Sequence, residues 1–276
     1  MFRLFCWCVA LLLGLVGGGG VAVAEEVDLS SQYAAGRDLR TFYGSSGSDA
    51  VSASIASKSI RLDLKVEGGN PTSSDFGRRQ GVVGFRLNDP NAVLGLFANM
   101  KVSSYGFGTC DANDAVASLN FRLAGYWFND GSSSDPGDST GNYYVSLGLN
   151  RTADAVGQEL NVNTFIWRCG DRSCSSGAFI AGPVTLGVIK KNKIATLGIE
   201  WDSFNHRFRM TMTSGSGRKV SIQESFLDYA SDVATEVPPT LSHFKGGELA
   251  NSAARCRDKS SLVSGKGEFS KIQVMR

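Results

Sequence analysis

From Lys193 to Thr213 hydrophobic and polar residues alternate strictly. Ala195, Leu197, Ile199 and Trp201 fall on one parity; Thr196, Gly198 and Glu200 fall on the other. On the return, His206, Phe208, Met210 and Met212 share one parity, and Arg207, Arg209, Thr211 and Thr213 share the other. A period of two places one face on a core and the other in water, which is a strand. Asp202-Ser203-Phe204-Asn205 joins the runs, and Asp and Asn side chains bond the local backbone of turns. The pattern predicts an antiparallel hairpin.

The same reading predicts strands at Ser59 to Glu67, Gly81 to Leu87, Val116 to Phe128, Tyr143 to Leu149, Gln158 to Cys169, Phe179 to Ile189 and Lys219 to Gln223. Ala92 to Ser103 is apolar throughout, which suits a buried strand or a short helix. The Gly, Pro and Asn residues on both sides favour a strand. Asn129 to Asn142, NDGSSSDPGDSTGN, is a loop. Glu224 to Thr235 is expected to be a short helix, with Phe226, Tyr229, Ala230 and Val233 near one face and Pro238-Pro239 ending it. Thr240 to Gly267 is expected to be largely loop. About eleven strands with at most one short helix define an all-β chain of two antiparallel sheets packed face to face.

The xTLGIxWDxxxHxFxF hairpin, here Thr196, Leu197, Gly198, Ile199, Trp201, Asp202, His206, Phe208 and Met210, resembles the concanavalin A-like lectin/glucanase group of jelly-roll, LamG-like domains. The closing run Phe269 to Met275 resembles the last strand of such domains. The resemblance implies a jelly-roll sandwich. The group holds lectins, glycosidases, lyases and modules with no known ligand, so fold resemblance does not transfer an activity.

Met1 to Ala24 has the parts of a secretory signal: Arg3, an apolar core from Phe5 to Val16, and Ala22-Val23-Ala24 as a cleavage site. The apolar run is too short and too broken by glycine for a lasting membrane span. Residues 25–56 are polar, with Gly44-Ser45-Ser46-Gly47-Ser48 in the middle. They are expected to form a loosely held segment contributing one strand. Residues 57–276 are expected to be a single sandwich domain, which this length suits. The 33 glycines and 6 prolines fit a turn-rich β chain. With 28 Lys and Arg against 26 Asp and Glu of scattered sign, nothing marks a nucleic-acid partner.

Of six cysteines, Cys6 and Cys8 leave with the signal; Cys110, Cys169, Cys174 and Cys256 remain. An even number in an exported chain points to disulfides. Three pairings are open. The favoured one clasps Cys169 to Cys174 locally and ties Cys110 to Cys256. Zinc suits the cysteines poorly, because C-x4-C lacks a second close pair. The expected compartment is secreted or periplasmic, in a bacterium.

Exposed aromatics carry the main functional expectation. Trp127, Tyr143, Tyr144 and Trp167 lie at strand ends beside polar loops. Sugar sites combine apolar bodies with a few polar groups. The expected ligand-binding set is Trp127, Asn129, Asp130, Tyr143 and Trp167. The competing reading is that both tryptophans fill the core. Asp130, Asp135 and Asp138 are oxygen ligands on a flexible loop that suit Ca²⁺, against a plain solvated turn. No other cofactor is expected. Glucanases of this fold carry E-x-D-x-x-E on one strand. Here Glu200 and Asp202 are present, but Asn205 occupies the third acid position and Asp202 begins a turn. The expected function is therefore an exported, non-catalytic module for a glycan or cell-envelope polysaccharide. The alternatives are a polysaccharide hydrolase or lyase with a non-standard catalytic set, and a structural envelope protein.

Overall fold

The computed structural model describes residues 24–26, 39–42, 50–56, 58–67, 79–85, 93–108, 110, 117–127, 138–202, 204–205, 207–216, 219–228, 246–254 and 262–275. Its strands are β1 (Ala24–Glu26), β2 (Leu39–Phe42), β3 (Ala50–Ala56), β4 (Ser59–Glu67), β5 (Arg79–Phe85), β6 (Gly95–Gly106), β7 (Ser118–Trp127) and β8 (Tyr143–Thr152). They continue with β9 (Glu159–Cys169), β10 (Gly177–Lys190), β11 (Ile194–Asp202), β12 (Arg207–Ser216), β13 (Lys219–Asp228), β14 (Gly246–Ala254) and β15 (Leu262–Met275). No helix occurs among the described residues.

The strands form two antiparallel sheets. The first runs β13-β12-β11-β6-β15-β4-β3, with β1 added beside the end of β15. The second runs β10-β9-β8-β7-β14-β5-β2. This is the expected all-β, two-sheet jelly-roll sandwich. The alternation read in the hairpin becomes its geometry. Ala195, Leu197, Ile199, Phe208, Met210 and Met212 face inward and are fully or nearly fully buried. Opposite them β7 and β8 send in Leu119, Phe121, Leu123, Trp127, Val145, Leu147 and Leu149, in one continuous core.

At one place in this core the sheets come together through missing side chains. Gly265 and Gly267 lie on the inward parity of β15, between the buried Val263 and Phe269. A Cβ on Gly265 would meet the methyls of Leu119, and one on Gly267 would meet the ring of Phe121. The glycines are hollows that the facing sheet fills, and such interdigitation gives a core its density.

Four differences from the sequence reading have physical causes. The 25–56 segment contributes three strands, because β1, β2 and β3 each find an unpaired neighbour on β15, β5 and β4. Glu224 to Asp228, expected as the start of a helix, continues β13 instead, because β12 offers it an unbroken ladder out to Asp228↔Arg207. The rest of that expected helix lies outside the described residues. The stretch expected as largely loop contains β14, which is central: it pairs with β7 on one side and β5 on the other. The same stretch also holds the start of β15, which pairs with β4 from Leu262 onward.

β10 is an edge strand of 14 residues, GAFIAGPVTLGVIK, largely exposed. Its pairing with β9 slips at three places, between Phe179/Ala181, Ala181/Val184 and Thr185/Gly187.

Gly267→Val should overpack the hollow against Phe121. The expected cost is about 1–3 kcal/mol of folding stability, read from chemical denaturation.

Candidate functional site

The outer face of the second sheet gathers the candidate side chains, and the strand registers set its rows. Tyr126 of β7 lies opposite Tyr144 of β8, Tyr144 opposite Trp167 of β9, and Trp167 opposite Phe179 of β10. These four rings form a row across four strands. Phe165 sits behind them on β9, two residues before Trp167. The rings touch. Tyr126 and Tyr144 centroids are 5.1 Å apart, Tyr144 and Phe165 6.1 Å, Phe165 and Phe179 5.6 Å, and Trp167 and Phe179 4.8 Å. Phe179 is 55 % exposed, and Tyr126, Phe165 and Trp167 are half-buried.

The next row is small. Glu248 of β14 is flanked by Gly84 of β5 and Ala124 of β7, and Ala124 faces Ser146 of β8. One row further on, Arg122 lies opposite Gly148, Gly148 opposite Asn163, and Asn163 opposite Thr185. A Cβ on Gly148 would come within 2.8 Å of the Cβ of Arg122, so the glycine makes room for the arginine. The last row holds Ser252, Asn120, Asn150 and Asn161. Asn150 donates to Asn120 at 2.6 Å, and Thr185 donates to Asn163 at 2.9 Å. The face thus runs from rings at one end to amides and hydroxyls at the other.

Charge lies in the middle of this face and is paired. The Tyr144 hydroxyl donates to Glu248 Oε1 at 2.5 Å, the Tyr126 hydroxyl reaches Oε2 at 3.5 Å, and Arg122 Nε lies 3.7 Å from Oε1. Burial pushes the Tyr144 phenol well above its ordinary range; Arg122 opposes this shift and Glu248 reinforces it. The phenol therefore stays protonated and acts as a donor. Burial alone would lower the Arg122 pKa, but Tyr144 and Glu248 together raise it, so the guanidinium stays charged.

The ring row ends at a clasped loop. Cys169 and Cys174 form a disulfide and belong to one packed cluster with Ala124, Tyr126, Tyr144, Phe165 and Trp167. Inside the loop Asp171 accepts six hydrogen bonds, from the N–H and hydroxyl of each of Ser173, Ser175 and Ser176. The Ser176 hydroxyl first, then the backbone and hydroxyl of Ser175 and the hydroxyl of Ser173, hold the Asp171 carboxyl well below the usual carboxylate range.

The sequence-predicted residues are scattered by comparison. Trp167 lies on this face. Trp127 has the opposite parity: it is fully buried and packs edge-on against Phe208 at 5.4 Å. Tyr143 is 3 % exposed and also faces inward. Neither ring offers a face to a ligand, because a strand's period of two sends neighbours such as Trp127 and Tyr126 to opposite sides. Asn129, Asp130 and Asp135 lie outside the described residues. Asp138 accepts the N–H of Thr140 at 2.9 Å. No group of three or more His, Cys, Asp or Glu that could hold a metal occurs among the described residues. Cys110 is disulfide-bonded, and its expected partner Cys256 lies outside the described residues.

Glu200 and Asp202 occupy the outer face of the other sheet. Glu200 pairs with Arg209 at 3.4 Å. Asp202 accepts from the Asn205 amide at 2.6 Å and from Arg207 at 3.2 Å, which locks the turn. Desolvation tends to raise the Asp202 pKa, but the Asn205 and Arg207 contacts outweigh it and lower the value.

No protein-family model matches the chain, and no curated protein matches it. Among solved structures it is similar to the winged bean acidic lectin complexed with methyl-α-D-galactose. Identity there is 12 %, coverage 93 % of this chain and 100 % of that one, and TM-score 0.35. It is also similar to peanut lectin with a nine-residue peptide, at 10 % identity, 93 % and 99 % coverage and TM-score 0.36. The exoplasmic/lumenal domain of VIP36 in its Ca²⁺/Man2-bound form is similar at 11 % identity, 85 % and 87 % coverage and TM-score 0.37. Likeness at this level transfers no residue role. The fold assignment rests on the strand order and registers above.

Trp127→Ala should act on stability, at a cost of about 3–5 kcal/mol in chemical denaturation, as for a buried aromatic. The Asp171 knot sets a pH dependence. Its folded pKa lies below the unfolded value of about 3.9, so its contribution is complete above that pH and fades as pH falls toward the folded pKa. A ¹³C titration of the Asp171 carboxyl should show a midpoint below 3.9, with the Ser175 and Ser176 amide shifts moving together with it.

Proposed function

We propose that the protein is a non-catalytic glycan-binding module whose site is the outer face of the second sheet. The observation that carries this reading is the row Tyr126, Trp167 and Phe179, with the buried Tyr144 packed between Tyr126 and Trp167, backed by Phe165 and continued by Asn120, Asn150, Asn161, Asn163 and Thr185. A pyranose has an apolar face and a rim of hydroxyls. Rings beside fixed amides match that chemistry, as ligand sites generally combine apolar surface with a few placed polar groups. Strands lie about 4.8 Å apart, so four strands give a platform on the order of 15 Å, enough for a few sugar units.

Hydrolysis of a glycoside needs two carboxyl groups flanking the bond. Among the described residues of this face Glu248 is the carboxylate in the middle. Glu200 and Asp202 lie on the other sheet, each closed by its own arginine. This supports binding over cleavage. The amino-terminal signal and the disulfides support a secreted or periplasmic site of action, with an envelope polysaccharide as the ligand. No helix among the described residues is long and apolar enough to cross a membrane. The loop of Asp130, Asp135 and Asp138 is where a calcium ion would be held.

Glycan-array and polysaccharide pull-down assays test the reading. Phe179→Ala should weaken retention about tenfold, the size of an aromatic contact of about 1.4 kcal/mol, with Tm unchanged because the ring is outside the core. Failure of the unaltered chain to bind any member of a broad panel would remove the reading.

A further inference from the structure

We propose that a second ligand site lies on the outer face of the first sheet, and that it takes an oxyanion group (phosphate, sulfate or carboxylate), free or pendant on a polymer. The site is on the sheet opposite the ring row and does not rest on the glycan-binding reading. A cavity of about 250 Å³ opens there over β4, β15 and β6. Its polar lining is Asp63 and Lys65 of β4, Ser264 and Lys266 of β15, and Ser104 of β6.

The cavity has a cause in the strand register. Gly267 of β15 pairs with Val102 of β6, but Lys266 pairs with Ser104, so Ser103 is an extra residue in β6. Its hydroxyl donates to the Lys266 carbonyl at 3.3 Å. A bulge of this kind re-aims the side chains that follow it. Val102 points to the core, and so does Tyr105 beyond the bulge. Ser104 and Gly106 therefore share the outer face with Lys266 and Ser264. β11 last pairs with β6 at Ile194↔Lys101, before the bulge. Two short hydroxyl side chains and a glycine thus sit low between longer ones. The lining reaches solvent: Lys65 and Lys266 are exposed, and Asp63, Ser104 and Ser264 are half-buried.

The charges select the class of ligand. Lys266 Nζ lies 3.4 Å from Asp63 Oδ2, with its side chain still 58 % exposed. Lys65 has no carboxylate partner among the described residues. In the adjoining row Glu268 is flanked by Arg61 and Lys101. Glu67, the next outward residue on β4, is not part of the lining. Cations therefore outnumber carboxylates around the cavity. A metal ion would meet two ammonium groups and one carboxylate that is already paired. An oxyanion meets ammonium donors from Lys65 and Lys266 and hydroxyl donors from Ser104 and Ser264. Hydrogen bonds assisted by charge are the stronger sort. Cavities that enclose a drug-sized ligand run to about 300–1,000 Å³, so this one fits a single group.

Amide chemical shifts of the chain, followed by NMR as sodium phosphate and then sodium sulfate is added, test the site. Ionic strength is held constant with chloride so that screening stays fixed. Saturable movement centred on Lys65, Ser104, Ser264 and Gly265 is expected. Lys65→Ala should weaken binding about tenfold, the size of one hydrogen bond to a charged group. Lys65→Arg keeps the charge and the donors and should restore it. Lys271→Ala removes the same charge further along β15 and should leave binding within about twofold. Lys65 and Lys271 are both exposed, so these variants leave the core intact. A polyuronate and a sulfated polysaccharide are run on the unaltered chain. Movement of the same amides by either one assigns the cavity to a pendant group, and movement by the small ions alone assigns it to a free anion. The inference is overturned by shifts that stay linear, by shifts centred outside the cavity, by Lys65→Ala binding within twofold of the unaltered chain, or by equal losses in Lys65→Ala and Lys271→Ala. Phe179→Ala should change none of these results, so this site and the glycan reading fail separately.

Discussion

Everything on the outer surfaces depends on how closely the two inner surfaces approach. That approach is set where Leu119 and Phe121 of β7 enter the hollows left by Gly265 and Gly267 of β15. Large side chains meet absent ones, and the layers mesh instead of standing apart. β7 then carries its other parity, Asn120, Arg122, Ala124 and Tyr126, outward in fixed register with β8 and β14. The outer face of the second sheet is the reverse side of the core contact, and its register comes from the same strand.

Much of the fold was legible because burial leaves a period of two. The hairpin of β11 and β12 was read correctly for the inward residues Ala195, Leu197, Ile199, Trp201, Phe208, Met210 and Met212, while His206 lies outside the described residues; the turn is held by Asp202 as turn chemistry predicts. β14 was illegible for the opposite reason. GGELANSAA shows no alternation, because the strand is buried on both faces and crowded by taller neighbours. Small residues, an asparagine and a glutamate read as loop when the partners that cover them are not known. The end of β13 was misread because an apolar spacing that suits a helix was overruled by a ready ladder on β12.

Of the aromatics read beside polar loops, Trp127 and Tyr143 face inward while Tyr126 and Tyr144, one residue away on each strand, belong to the other face of the sheet. Parity from Leu119 through Phe121 and Leu123 already assigns Trp127 to the core. Glu248 carried no signal at all, since it lies on β14, a strand the alternation did not reveal. Asp171 was part of a loop tip in the sequence. Its six donors come from residues of the loop tip that the Cys169–Cys174 disulfide adjoins.

The edge of the second sheet has one more consequence. β10 is long, mostly apolar and free of charge until Lys190, which is the composition of a strand that recruits others like itself. Its three slips against β9 break the outward row of amides and carbonyls into short pieces, and Pro183 removes a donor from one of them. A neighbouring molecule finds no continuous rail to follow. The chain can therefore keep an oily rim beside its row of rings and still be crowded without its copies zipping together.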